Sequence, residues 1–203
     1  MLSIIQNIPN VKKHALHYVF EDLKIQDQPN NGIWIEFGVY NGHSITYISN
    51  FTKNIVYGFD SFEGLPETWR SGFEKGRFDR QGVLPEVPSN VTLIKGWFSD
   101  TLTPFLETQK NKKISFMHID CDLYSSTKHI LNITRPFLDK ECVIVFDELV
   151  NYPGFDGETG ELKAIYEYIL ENNLKENIDY EWIGMDGTIG EGGEQVALKL
   201  KIH

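Results

Sequence analysis

Two apolar runs of the sequence stop at acidic side chains. FMHIDCDLYSST carries Asp120 and Asp122, and VIVFDELVNYPG carries Asp147 and Glu148. If these runs are neighbouring strands, four carboxylates meet in a small region, and like charges that close are costly unless a cation or a shift in protonation relieves them. A hard divalent ion such as Mg²⁺ accepts oxygen ligands and keeps positions open for a substrate. Asp122 also suits capping of the helix that follows it, which leaves the other three carboxylates without a structural explanation. His118 and His43 are alternative bases, although His118 lies inside an apolar run and fits a packed, hydrogen-bonded core residue.

Other segments carry groups suited to a different ligand. In EFGVYNGHSITYI, Gly38 and Gly42 let the backbone turn sharply and approach a ligand. Ser44 falls in the first turn of the next helix, where free N–H groups favour a carboxylate or phosphate. This spacing is neither the dinucleotide fingerprint nor a P-loop, because the second glycine spacing and the Lys-Ser/Thr pair are missing, so a nicotinamide or ATP site is disfavoured. VYGFDSFEGLPE puts Asp60 at a strand tip, where a carboxylate can accept both hydroxyls of a ribose; an Asp there is also an ordinary turn former. GWFSD offers Phe98 and Ser99, an aromatic ring beside polar atoms that suits an adenine and equally suits a core. The three tips together describe a nucleoside joined to a carboxylate-bearing tail.

The elements that must position these groups are legible in the periodicity. Short β-branched apolar runs predict strands over 33–37, 55–59, 91–95, 114–119, 142–146, 180–185 and 195–202, and helical patterns fall at 11–23, 43–51, 100–108, 125–138 and 158–172. The first five strands are near-continuously apolar, as strands covered on both faces are, whereas QVALKLKI alternates and suits a half-exposed or edge strand. The expected fold is α/β and Rossmann-like: a seven-stranded, mostly parallel sheet with helices on both faces and an antiparallel last strand. One domain is expected over 1–203, with 1–28 an N-terminal helical segment. Residues 67–90, rich in Gly, Pro, Phe and Arg, read as a lid loop or else a disordered insertion.

Composition removes several function classes. A net charge of −10 repels phosphate backbones and anionic lipid, so neither a nucleic-acid nor a membrane partner is expected. No stretch approaches the roughly 20 apolar residues of a membrane span, and the first residues lack the pattern of a secretory signal. A soluble, cytoplasmic protein is the expectation. Cys121 and Cys142 sit in apolar runs, which reads as reduced buried thiols and not as a disulfide framework or a zinc site. The amphipathic N-terminal segment suits packing on its own sheet or on a second copy in a homo-oligomer.

IEFGVYNGHS, VYGFDSFEGLPE, IDCDLYSST and FDELVNYPG, in this order over about Gly32 to Leu162, resemble the macrocin O-methyltransferase type of macrolide-sugar O-methyltransferases. The glycine turn and paired acidic tips also resemble catechol O-methyltransferase. The resemblance implies an S-adenosylmethionine-dependent enzyme that methylates a hydroxyl of a small molecule such as a sugar or other vicinal diol, with Mg²⁺ as cofactor. It places Glu36, Gly38, Tyr40, Gly42 and Ser44 around the methionine part, Asp60 on the ribose, and Phe98 with Ser99 beside the adenine. It makes Asp120, Asp147 and Glu148 the metal ligands and Asp120 the catalytic base. Two departures stand out: Leu123 occupies the position of the lysine that catechol O-methyltransferase carries, and Glu148 replaces an Asp common in the antibiotic enzymes. Metal-independent methylation, non-catalytic cofactor binding and a dehydrogenase are the competing readings.

Overall fold

A computed structural model describes residues 1–27, 32–109 and 112–203, so residue 28 of the expected N-terminal segment lies outside the described residues. Seven strands form one sheet: β1 (Ile33–Phe37), β2 (Val56–Asp60), β3 (Val91–Lys95), β4 (Ile114–Ile119), β5 (Leu138–Phe146), β6 (Tyr180–Thr188) and β7 (Glu191–Lys201). Their order is β3-β2-β1-β4-β5-β7-β6, with the first five parallel and β7 antiparallel to both of its neighbours. The order reverses between β1 and β4, and in open α/β sheets the crevice beyond the carboxyl ends at such a point is where ligands bind.

Period-two alternation divides the side chains between two core layers. Ile33, Ile35 and Phe37 pack with Leu102 and Leu106 of α3 (Phe98–Thr108), Ile130 of α4 (Tyr124–Thr134) and Ile165 of α5 (Gly160–Glu171). Trp34 faces the other layer, against Ile45 and Ile48 of α2 (His43–Ser49) and against Ala15, Leu16 and Phe20 of the N-terminal segment. Among the described residues no helix is long and apolar enough to cross a membrane. Both cysteines are buried and free.

Several boundaries differ from the sequence reading, three of them with a plain cause. The helix expected over 11–23 shrinks to α1 (Ala15–His17) and a π turn over Tyr18–Asp22, because Val11 instead donates its N–H to the Met185 carbonyl at 2.9 Å beside β6. Helix α4 stops at Thr134, and β5 starts early at Leu138, on either side of a tight turn containing Pro136. Proline clashes with the preceding turn and donates no N–H, which favours a break there.

The last strand is not an edge. It lies between β5 and β6, and Val196, Ala197, Leu198 and Leu200 are buried while the lysines between them pair outward with Glu141 and Glu181. The alternation of QVALKLKI thus reports one lysine row at the sheet's far end and not an open flank. Leu198→Ala should cost about 3 kcal/mol by loss of transfer energy and cavity formation, lowering the thermal midpoint by roughly 6–12 °C. A calorimetric loss below about 1 kcal/mol, the range of surface substitutions, would restore the edge assignment.

Candidate functional site

The glycine turn is built by close approach of two strand tips. Gly38 has φ +89°, and a Cβ there would sit 1.7 Å from the Asp120 carbonyl oxygen, so only glycine lets β1 and β4 end side by side. Asp60 then fixes the turn. Its Oδ2 accepts the N–H groups of Val39 and Tyr40, both at 2.8 Å, and its Oδ1 accepts that of Phe62 at 2.7 Å. Charge-assisted bonds of this kind are the strong ones.

Beyond these tips lies a cavity of about 560 Å³, walled by Gly38, Tyr40, Ser44, Asp60, Phe98 and Ser99 on one side and by Asp120 and Glu148 on the other. Three of the expected residues do not line it. Gly42 is packed under Pro85 and Val87 of the 67–90 loop. Glu36 is fully buried behind the wall, and Asp147 stands beside Asp120 and Glu148, with one oxygen of each within 4.8 Å of the others. The loop itself is ordered by its own backbone bonds, Leu65 to Arg77 and Gly76 to Leu65, each 2.9 Å, and its Phe78 reaches the cavity.

The strand register explains a polar row behind the acidic tips. Glu36 pairs with His118, and His118 with Val145, so the same face of β1, β4 and β5 carries Glu36, His118 and, one step past the strand end, Asp147. His118 Nδ1 lies 2.8 Å from Glu36 Oε1, and its Nε2 lies 3.3 Å from Asp147 Oδ1, near enough for charge attraction although off the hydrogen-bond direction. Gln195 donates to Asp147, and its Oε1 accepts the Leu16 N–H at 3.1 Å. His118 is therefore the core residue its apolar surroundings imply, and both of its ring nitrogens face carboxylates.

Burial opposes a charged imidazole, yet the contacts with Asp147 and Glu36 outweigh it and hold His118 well above its ordinary pKa. Burial also pushes at Asp147, but His118 overrides it and keeps that carboxyl at about 2. The neighbours go the other way. Burial, followed by the Asp147 charge, raises Asp120 far above the carboxylate range and lifts Asp122 to about 7. Burial raises Glu148 likewise, with Asp120 next in weight. Asp122 is not a helix cap: Leu123 holds the N-cap position without a side-chain bond, and Asp122 has φ +61° with its side chain buried.

The sequence reading missed Glu161, Trp97 and His129. Glu161 opens α5, is fully buried, and accepts the Glu148 N–H at 3.3 Å while its Oε1 has no partner. Trp97 is a half-exposed ring on the Phe98 and Ser99 side of the cavity, and His129 lines it from α4 with its Nε2 buried and unpartnered. The spacing of Ser125 and His129, four residues apart on one helix face, was the available signal for the last of these.

Known proteins share this fold. A family model described as a methyltransferase domain matches residues 35–149. The crystal structure of CalS11, a calicheamicin methyltransferase, superposes with a TM-score of 0.65 at 22% identity, covering 92% of this chain and 76% of that one. The O-methyltransferase NovP gives 0.59 at 19% identity, over 93% and 77%. An O-methyltransferase from Bacillus cereus in complex with SAH gives 0.57 at 13% identity, over 97% and 85%. At these identities the likeness is one of fold. No curated protein matches the chain.

The titration pattern predicts how stability responds to pH in chelator. Asp122, raised to about 7 in the folded state, contributes stability that is complete below its ordinary pKa near 4 and is lost as pH rises through 7. Asp147, lowered to about 2, contributes stability present above pH 4 and lost only as pH falls toward 2. Between pH 5.5 and 8 Asp122 acts in the same direction as the other raised carboxyls, Asp120, Glu148 and Glu161, so the thermal midpoint should fall, by about 5 °C from Asp122 alone. Asp122→Asn should make that slope shallower without abolishing it; a slope unchanged by the substitution would sink this account.

Proposed function

Since this chain belongs to the methyltransferase-domain family, we propose that it is an S-adenosylmethionine-dependent O-methyltransferase acting on a hydroxyl of a sugar or other vicinal diol, with Mg²⁺ held by Asp120, Asp147 and Glu148. The observation that carries this reading is one cavity with two unlike walls. The glycine turn and Asp60 form one, and clustered carboxylates form the other.

The residues fit both groups. Asp60 keeps acceptor capacity beside the turn it holds, since a carboxylate offers about four lone-pair sites and three backbone donors occupy it here. Trp97 and Phe98 offer ring surface and Ser99 a hydroxyl on the adjoining wall. For a cation, the buried, unpartnered Glu148 Oε2 and the mutual closeness of the three carboxylates are what a hard divalent ion satisfies. S-adenosylmethionine, when bound, supplies an electrophilic methyl group on sulfur. Mg²⁺, when bound, lowers the pKa of a coordinated hydroxyl and fixes its orientation.

The chain's own groups do the rest. The glycine turn and Asp60 orient the cofactor so that the acceptor oxygen can attack in line, which is worth several kcal/mol of barrier without further chemistry. Asp120, kept ionised where a cation is bound, would accept the hydroxyl proton as the methyl group leaves sulfur for the acceptor oxygen. The products are a methyl ether and S-adenosylhomocysteine. The 67–90 segment acts as the lid, with Phe78 covering the reacting atoms from bulk water.

Calorimetric titration tests the reading. S-adenosylmethionine should bind wild type, and Asp60→Ala should weaken it by about tenfold or more through the lost charge-assisted bonds. Asp120→Asn should abolish the Mg²⁺ heat and turnover while leaving cofactor affinity within about threefold, an effect on charge without loss of shape. Absence of cofactor binding would overturn the whole proposal; full turnover in chelator would overturn the metal.

A further inference from the structure

The chain has four arginines, and three of them, Arg70, Arg77 and Arg80, fall within the lid. None of the ion pairs among the described residues involves an arginine. Arg80 has a structural task, since its guanidinium bonds Asn41 and the Val83 carbonyl and ties the lid to the glycine turn. Arg70 and Arg77 have no such task.

Both are held on aromatic rings. The Arg70 guanidinium carbon lies 3.7 Å from the centre of the Phe73 ring and 4.4 Å from that of Trp69, and Arg77 lies 5.4 Å from Phe73 and from Phe78. Two cations thus share the Phe73 ring, and the Arg70 Nε is buried without a partner. The acids of the same segment make no ion pair with either arginine among the described residues, and three of them make other bonds. Glu74 accepts the Gly72 N–H, Asp79 that of Gln81, and Glu67 the Ser125 hydroxyl.

The same rings connect this pair to the cavity. Phe73 packs on Phe78, and Phe78 packs on Tyr40 of the glycine turn, with centroids 5.7 and 5.2 Å apart. On the other side Trp69 packs on Tyr152, just past the acidic tips, and the Arg70 charge acts on Asp122. Two guanidinium groups that make no ion pair, joined through Phe73 to the Phe78 ring of the cavity lining, are the complement of an anion that enters with the substrate. Planar bidentate donors match carboxylate and phosphate, and two charges sharing one ring match the phosphate dianion.

We propose that Arg70 and Arg77 form a subsite for a phosphate group carried by the acceptor, which makes the substrate class a phosphorylated or nucleotide-linked sugar. This rests on the reading of the cavity as a methyltransferase site and adds what the acceptor must carry. The aromatic rings hold the guanidinium groups in place before binding, so little ordering cost falls on the encounter. The acidic wall, meanwhile, disfavours any anion that does not reach the two arginines.

The test is titration of glucose, glucose 1-phosphate, inorganic pyrophosphate and glucuronate into the full chain saturated with S-adenosylhomocysteine, in chelator so that no metal bridges the phosphate. Wild type should bind glucose 1-phosphate and pyrophosphate at least about tenfold more tightly than glucose, the scale of charge-assisted bonds. Arg70→Ala with Arg77→Ala should erase that preference, and the double lysine variant should keep part of it. S-adenosylhomocysteine affinity serves as the folding control in every variant, and Arg135→Ala, the remaining arginine, should leave everything unchanged. A phosphate preference absent from wild type, or one that survives the double alanine variant, overturns the proposal. Glucuronate binding as tightly as glucose 1-phosphate overturns the phosphate assignment. Failure of S-adenosylhomocysteine itself to bind would overturn the methyltransferase reading and, with it, this one.

Discussion

A histidine buried between two carboxyl groups governs this end of the sheet. His118 sits between Glu36 and Asp147 on three adjacent parallel strands, with no exposure of its own side chain. The imidazolium keeps Asp147 ionised at the point where the acidic tips converge. Every other carboxyl nearby must then meet a neighbour that is already charged, and burial plus that charge drive Asp120, Asp122 and Glu161 toward the protonated form. Breaking such a group by removing one partner typically costs about 3–5 kcal/mol, because the remaining charges stay buried. A cation would do for the outer carboxyls what His118 does for Asp147.

The two walls of the cavity depend on that arrangement in different ways. The glycine-turn wall is rigid for backbone reasons: the left-handed Gly38 and the Asp60 carboxylate leave Val39 and Tyr40 one conformation. The acidic wall is rigid for electrostatic reasons. Over both lies a segment with no long helix or strand, held by short turns, by Arg80 on Asn41 and by a run of aromatic contacts from Tyr40 through Phe78, Phe73 and Trp69 to Tyr152. This run joins the loops that follow β1, β2 and β5, so a change at any one of them is felt by the other two.

The parallel part of the sheet was legible because fully buried strands leave a simple mark, a short apolar run ending in a polar group. β1, β3 and β4 match their expected bounds. Most groups of the candidate site could be read for the same reason, as whatever follows a strand tip. What could not be read depended on partners distant in sequence. The N-terminal pattern reads as a helix until Val11 finds the edge of β6. The alternation of β7 suits an edge strand until β6 pairs along its far side. Glu161 looks like an ordinary acid in a first helical turn, and only the fold reveals that it points into the acidic cluster. Arg70 and Arg77 lay in a segment without period, where residue type carries no hint of direction.

Gln195 joins the site to the far side of the molecule through a single amide. An amide has a fixed polarity: its nitrogen donates to the Asp147 carboxylate, and its oxygen is thereby aimed at the Leu16 N–H. Seating of the N-terminal segment is thus conditional on a hydrogen-bond acceptor at position 147. For transplantation of this end of the sheet onto another scaffold, the smallest portable unit is therefore larger than the strand tips that bear the carboxyl groups. It includes an antiparallel strand from the end of the chain and a backbone N–H from its beginning, and a graft lacking either would carry the right carboxylates in the wrong electrostatic state.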